Sequence, residues 1–579
     1  MDLGKDFHIH QNTNDYPPIE PPSSSKWIHH FREQLIFFHF NMSNKQNSNV
    51  FRILYTQFVQ VLQSIKKCIH ENENNQEYKF IIDLFYRLVF YTRDIHHGKG
   101  ERDMSYLLIM AFYDVYPSLA IYALHEFVRN TYKSTTIESY AMIGSPSIGS
   151  WKDIFACCDF LRNYSIHGEN HALIDKCVEM AILQLIQDNH TWNHSTSKQN
   201  PDYISNVAKW IPREHKKYDW IYNKLVSYWS GYVHSHILRS AKTPESYTKA
   251  MLKCKRLFRK QISFLNKQLH TPEIYMSHGN WQSIRRLHMP NKTYLKHFDK
   301  LHTTTDIIYE NNNGYLHKTR IGSLPSCANM IKHAIRIISN VDSDNKYDLD
   351  LSRSHLNSMW KRITSHFLPG EFQFTLPILD VSTTMLQTHT DGFYSAIAIA
   401  MMIGSKSSLG PRILAISNYS VWIQWKQTDT FVDIVENIMD SISPIQGSLL
   451  HLENSFNLII QALYGSRSTN RFIENMNVVF ISDFSVHINC NEISKLFNIN
   501  MFDTSPSIIC WNVATQNIIN MPMDPSGHKH YYHSGNSIYA LKSIITSNIT
   551  VNAFDSIVNL LNNPRYLHAS NYLHSLCNS

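Results

Sequence analysis

Asp380 ends the apolar run Leu376-Pro-Ile-Leu-Asp380, and Ser382 and Thr384 follow it at alternate positions. A buried strand that brings one carboxylate and two hydroxyls to its C-terminal tip supplies part of a site for a hard divalent cation. Mg2+ takes oxygen ligands and keeps several waters, so neighbouring loops must complete its shell. About a hundred residues on, Asn477-Val-Val-Phe-Ile-Ser-Asp483 again carries an apolar strand into an aspartate. The expected cation site is therefore Asp380, Ser382, Thr384 and Asp483, with Mg2+ as the candidate cofactor. A metal-free reading stays open beside it, in which both aspartates accept hydrogen bonds from nearby backbone amides.

A second chemistry lies in the distribution of charge. Residues 206–300 hold 19 Lys or Arg against 5 Asp or Glu, a difference of +14, whereas the whole chain is only +7. The densest stretch is Lys253-Cys-Lys-Arg-Leu-Phe-Arg-Lys260. Lysine and arginine that neutralise phosphates give salt-dependent nucleic-acid affinity. The expected phosphate contacts are Lys253, Lys255, Arg256, Arg259, Lys260, Arg285 and Arg286. The same window carries Trp210, Tyr218, Trp220, Tyr222, Tyr228, Trp229 and Tyr232. Such rings stack unpaired bases, but at helical spacing the favoured reading is core. Residues 371–579 hold 9 basic and 14 acidic residues and are not the expected nucleic-acid surface.

Gly98-Lys-Gly-Glu-Arg-Asp103 looks like a phosphate-cradling loop only in part. A P-loop needs Gly-x-x-x-x-Gly-Lys-Ser/Thr between a strand and a helix, whereas here a glycine follows Gly-Lys and the flanks are helical. The favoured reading is structural: Gly98 closes a helix, Glu101 and Asp103 start the next, and Arg93, Asp94, Arg102 and Asp103 join the two by ion pairs. Catalytic constellations are not found. There is no Gly-x-Ser-x-Gly elbow, no His-Glu-x-x-His among 33 histidines, and no Cys-x-x-Cys among nine cysteines. The expectation is a non-catalytic protein of a reducing compartment.

Two kinds of element must position these groups. Three- and four-residue apolar spacing predicts helices over Val50–Ile69, Tyr78–Thr92, Met104–Tyr116, Leu119–Tyr132, His171–Gln187, Trp220–Leu238 and Tyr247–Leu269. Without strands between them, these read as an irregular, HEAT-like helical-repeat body over 27–370, preceded by a flexible arm over 1–26. The pattern changes after about residue 370. Strands are predicted at Phe374–Val381, Arg412–Tyr419, Val421–Trp425, Asn477–Phe484, Ser507–Val513 and Lys529–His533. Helices are predicted at Tyr394–Ser405, Phe431–Ser441, Asn454–Tyr464, Glu492–Asn498, Ile538–Ser547 and Val551–Leu561. This alternation predicts a doubly wound α/β domain over 371–579.

At 579 residues, 43% hydrophobic and 17% charged, the composition is that of a globular multidomain chain. No signal peptide is visible, and the longest apolar run, Phe393–Ile403, is too short to span a bilayer. The expectation is a cytoplasmic, monomeric protein without membrane association. Abundant Asn, Ile, Lys and Tyr with 18 glycines suit an AT-rich genome such as that of a large DNA virus or a protist.

Several segments carry a resemblance. They are Arg93-Asp-Ile-His-His-Gly-Lys-Gly-Glu-Arg-Asp103, Gly149-Ser-Trp-Lys-Asp153, Ala208-Lys-Trp-Ile-Pro212, Leu376-Pro-Ile-Leu-Asp-Val-Ser382, Phe480-Ile-Ser-Asp483 and Ile509-Cys-Trp-Asn512. In this order the chain resembles the uncharacterised domain-of-unknown-function family 2828, similar in layout to the TROVE/Ro RNA-binding proteins. The resemblance implies a helical-repeat body joined to a C-terminal von Willebrand factor A-like domain. In the Ro proteins such a body closes into a ring that holds RNA. Sites of this type use Asp-x-Ser-x-Ser, a threonine from a second loop and an aspartate from a third. Thr384 here replaces the second serine, and Gly447-Ser-Leu-Leu-His451 has no clear threonine; Ser448 takes its place or the ligand is missing. The leading functional expectation is binding of structured or misfolded RNA. The alternative is a protein-interaction module whose partner completes the cation shell with a carboxylate.

Overall fold

The computed structural model describes residues 24–43, 48–72, 75–95, 97–129, 147–194, 204–269, 271–284, 297, 327–339, 346–365, 367–388, 390–448, 450–485, 490–513, 518–519, 530–535, 541 and 552–577. Before the first strand run α1 (Ser24–Asn41), α2 (Ser48–Glu71), α3 (Gln76–Arg93), α4 (Arg102–Val115), α5 (Pro117–Val128), α6 (Trp151–Tyr164), α7 (Ala172–His194), α8 (Val207–Trp210), α9 (Asp219–Val233), α10 (Ser235–Arg239), α11 (Pro244–Gln268) and α12 (Pro272–Ser277), followed by the Cys327–Ser339 and Lys346–Thr364 helices. The predicted Trp220–Leu238 helix is broken at His234, whose backbone leaves helical geometry. Three residues of the predicted arm already belong to α1, while 1–23 lie outside the described residues.

The protein is a mixed α/β chain, with one six-stranded sheet among the described residues. Its strands are β1 (Thr375–Asp380), β2 (Arg412–Ile416), β3 (Ser420–Gln424), β4 (Asn477–Ser482), β5 (Ser507–Asn512) and β6 (His530–Ser534). The order is β3-β2-β1-β4-β5-β6. All neighbours are parallel except β2 and β3, which form an antiparallel hairpin. Every residue of β1, β4 and β5 is buried. Burial on both faces is what a parallel sheet wrapped by helices requires, and it explains their unbroken apolar runs. The apolar stretch Phe393–Ile403 lies in the Thr390–Lys406 helix and packs on β1. Of the predicted Ile538–Ser547 helix only Leu541 is among the described residues, and a Leu567–Cys577 helix follows that was not predicted.

Packing divides the chain differently from a cut near residue 370. Residues 106–323 form one compact unit, and residues 22–105 join 324–579 in the other. In the first unit α6 packs on α5 and α7, α7 on α9, and α9 on α11. In the second, the Cys327–Ser339 helix packs on the Thr390–Lys406 helix, while α1 packs on β6 and α3 on the Leu567–Cys577 helix. Amphipathic spacing marks the buried face of α1, which includes Phe31, Leu35 and Phe38. It carries no record of which distant element covers that face.

The Arg93–Asp103 segment is structural, and its partners are remote. The last carbonyls of a helix have no intrahelical donors, and those of α1 are met by side chains. Asn512 Nδ2 donates to Phe40 O at 3.0 Å, Ser534 Oγ to His39 O at 2.8 Å, and Lys99 Nζ to both His39 O and Met42 O. Lys99 is buried and also donates to Ser534 Oγ at 2.6 Å. Burial and the Lys99 charge together push the His39 imidazole well below its ordinary pKa and that of His533 down to about 4. Asp94 accepts from Arg565 Nε at 2.7 Å rather than serving only its own segment.

Gly98 has a specific reason to be glycine. A Cβ there would lie 2.0 Å from the Tyr91 carbonyl oxygen, which already accepts from Lys99 N. Gly98→Ala is expected to destabilise the protein by about 3 kcal/mol, because backbone rather than a flexible side chain must move. Urea unfolding measures this, and a change within about 0.5 kcal/mol would show that the turn is free to relax.

Candidate functional site

The cationic stretch folds as α11, and helical phase sorts its charges into two groups. Cys254, Phe258 and Leu265 face inward, with Phe258 against Tyr222 and Trp229 of α9 at ring distances of 5.8 and 5.3 Å. Those two rings are core. Lys255 and Arg259 turn toward one acid, Glu214, at 2.5 and 3.3 Å. Lys253, Arg256 and Lys260 are exposed, and so are Lys249 and Lys267. At 100° per residue these five fall within a sector of about 60°. They run for roughly 27 Å along the helix. None of the five enters an ion pair among the described residues. Arg285 and Arg286 lie outside the described residues. Lys249 and Lys267 were not among the sequence candidates, although their spacing from Lys253 and Lys260 by four and seven residues was available as a signal.

The second candidate is at the C-terminal edge of the sheet. The chain leaves β1 for β2 on one side, and β4 lies on the other, so β1 and β4 flank the point where strand order reverses. Open α/β sheets form a crevice there. Asp380 and Asp483 stand at the two adjacent tips, both buried. Each opens a matching turn: Ser382 N donates to Asp380 Oδ1 at 2.8 Å, and Ser485 N to Asp483 Oδ1 at 2.9 Å. Three hydroxyls then meet, with Ser382 Oγ 2.9 Å from Thr384 Oγ1 and Thr384 Oγ1 3.2 Å from Ser485 Oγ. Ser482 Oγ donates to Asp380 Oδ2 at 2.6 Å. Burial, reinforced by the Asp483 charge, pushes the Asp380 carboxyl up to about 6 against the donors from Ser482 and Ser382.

Ser382, Thr384, Asp380 and Asp483 are therefore brought together, and Ser485 and Ser482 join them. Ser485 had a legible signal, since Asp483-Phe-Ser485 repeats the spacing of Asp380-Val-Ser382. The middle loop contributes backbone: Gly447 O accepts from Thr383 N at 3.0 Å and from Ser417 Oγ at 3.0 Å. Ser448 is exposed. An all-oxygen set fits a hard cation and not a soft one. It holds only two carboxylates, and no group of three or more His, Cys, Asp or Glu suited to a metal occurs among the described residues.

Among the described residues no helix is long and apolar enough to cross a membrane. No protein-family model matches the chain. The chain is similar to the uncharacterised protein L728 of Acanthamoeba polyphaga mimivirus, with 21% identity over 483 residues that cover 80% of this chain and 76% of the relative.

Proposed function

We propose that this protein is a non-catalytic RNA-binding scaffold that holds phosphates on the exposed cationic face of α11. In this reading residues 106–323 are an irregular helical-repeat body, and the sheet belongs to a von Willebrand factor A-like domain, as in the TROVE-like layout. The strand order, with its single antiparallel edge strand, supports the second assignment. The observation that carries the RNA reading is the set of five exposed cations at 249, 253, 256, 260 and 267, which enter no ion pair among the described residues and have Glu245 as the nearest acid of the helix, one turn before Lys249. A merely solvated helical face commonly alternates charge sign along its length, whereas no acid lies between Lys249 and Lys267.

Each phosphate contact to a single strand lowers the slope of log K against log salt by about 0.7. Five contacts thus give a slope of roughly −3.5. Replacing Lys249, Lys253, Arg256 and Lys260 with glutamate is expected to abolish RNA binding in gel-shift titrations and to remove most of that slope. Unchanged affinity in the quadruple variant would reject the surface.

The paired aspartate turns favour a second reading, capture of a protein through a cation. A partner carboxylate would complete a shell built on Asp380, Ser382, Thr384 and Asp483, with Ser485 beside them. The residues fit Mg2+, whose role would be to bridge the two proteins.

A further inference from the structure

The cationic face of α11 has one gap. Lys249, Lys253, Arg256 and Lys260 follow one another at three or four residues, but seven residues separate Lys260 from Lys267. The residue that occupies the gap on the same face is Phe264, four residues from Lys260 and three from Lys267. The residue is 38% exposed, uncommon for a phenylalanine of a packed helix. The ring is not loose. Trp192 of α7 meets it edge-on, with centroids 6.4 Å apart and planes at 78°. An edge contact of this kind holds an aromatic ring while leaving a face open.

We propose that Phe264 is a stacking platform for an unpaired base, so that the α11 face selects single-stranded over duplex nucleic acid. The inference rests on the reading of α11 as the phosphate-binding surface and adds the determinant of strand state. A base on Phe264 places its flanking phosphates toward Lys260 and Lys267, the two cations on either side of the ring. Bases inside a duplex are already stacked and offer the ring no free face, whereas their phosphates still reach the lysines. The platform is sequence-tolerant, because every base has a π-face.

The test compares fluorescence anisotropy of an oligouridine strand and a blunt RNA duplex of equal length, with the full chain. Phe264→Ala is expected to weaken single-strand binding roughly fivefold to a hundredfold and to leave duplex binding and its salt slope unchanged. Phe264→Leu, which keeps apolar bulk against Trp192, is expected to lose as much, and Phe264→Tyr to lose little. Equal weakening of both ligands, or none of either, overturns the platform. If the duplex still binds and the quadruple glutamate variant abolishes it while Phe264→Ala changes nothing, the platform alone falls. If the unaltered protein binds neither ligand, the phosphate surface falls with it.

Discussion

Asp94→Ala is expected to destabilise the unit built from residues 22–105 and 324–579 by roughly 3–5 kcal/mol, the range for breaking a buried ion pair on one side. The Asp94 side chain has no solvent exposure and that of Arg565 has 10%. The guanidinium donates through Nε at 2.7 Å and Nη2 at 3.2 Å, and the Tyr566 hydroxyl donates to the same carboxylate at 3.2 Å. Removing the carboxylate takes the acceptor from three buried donors, Arg565 Nε, Arg565 Nη2 and the Tyr566 hydroxyl, at the C-terminal end of α3. The loss is one of desolvation rather than of net attraction. For that reason the double variant Asp94→Ala with Arg565→Met is expected to recover a large part of it. Guanidinium unfolding of both variants decides the matter. A double variant as unstable as the single one would mean that packing around Asp94, and not its charge, sets the cost. Amide exchange should show where the loosening occurs, with residues 553–577 losing protection first.

That ion pair also shows where sequence reading stops. The elements themselves were legible: each of the six strands begins and ends within three residues of its expectation, because a buried parallel strand is an apolar run bounded by polar residues. Assembly was not. Asp94 and Arg565 are 471 positions apart, and Ser534 caps a carbonyl of α1 from 495 positions away. Helical periodicity states that a face must be covered and is silent about the cover. Hence α1, α3 and the Cys327–Ser339 helix were assigned to a continuous helical body, whereas their apolar faces are buried in the unit that contains the sheet. The sites divide in the same way. Asp380 and Asp483 stand out because each terminates a strand. Ser482 does not, since nothing in its type or spacing announces that its hydroxyl serves Asp380 on the neighbouring strand. Charge density pointed to 253–260, but density ignores phase. Glu214, distant in sequence from α11, engages Lys255 and Arg259 and so offsets their charge, although the Arg259 side chain stays exposed.

In the absence of divalent cations, Asp380→Asn is expected to be more stable than the unaltered protein at pH 7.5, by roughly 3 kcal/mol. The carboxyl is raised from 3.8 to about 6, first by burial and then by the Asp483 charge. A raised carboxyl pKa favours the folded state where the group is protonated. That contribution is complete below the unfolded value of 3.8 and is lost as pH rises through about 6. Asparagine has no such titration. Its Oδ1 keeps the bond from Ser382 N, and its amide nitrogen donates to Ser482, whose hydroxyl turns to accept. The advantage of the variant should therefore shrink through pH 6 and vanish near pH 4. Mg2+ acts in the opposite sense if it binds here, because it rewards the ionised carboxylate that folding otherwise disfavours. Titrating Mg2+ at pH 7.5 should raise the melting temperature of the unaltered protein by ligand linkage and leave that of Asp380→Asn nearly fixed. The same titration below about pH 5 should raise neither, since protons then occupy Asp380. A pH-independent difference between the two proteins would show that Ser482 and Ser382 already compensate the charge. An Mg2+ effect common to both would place the ion elsewhere.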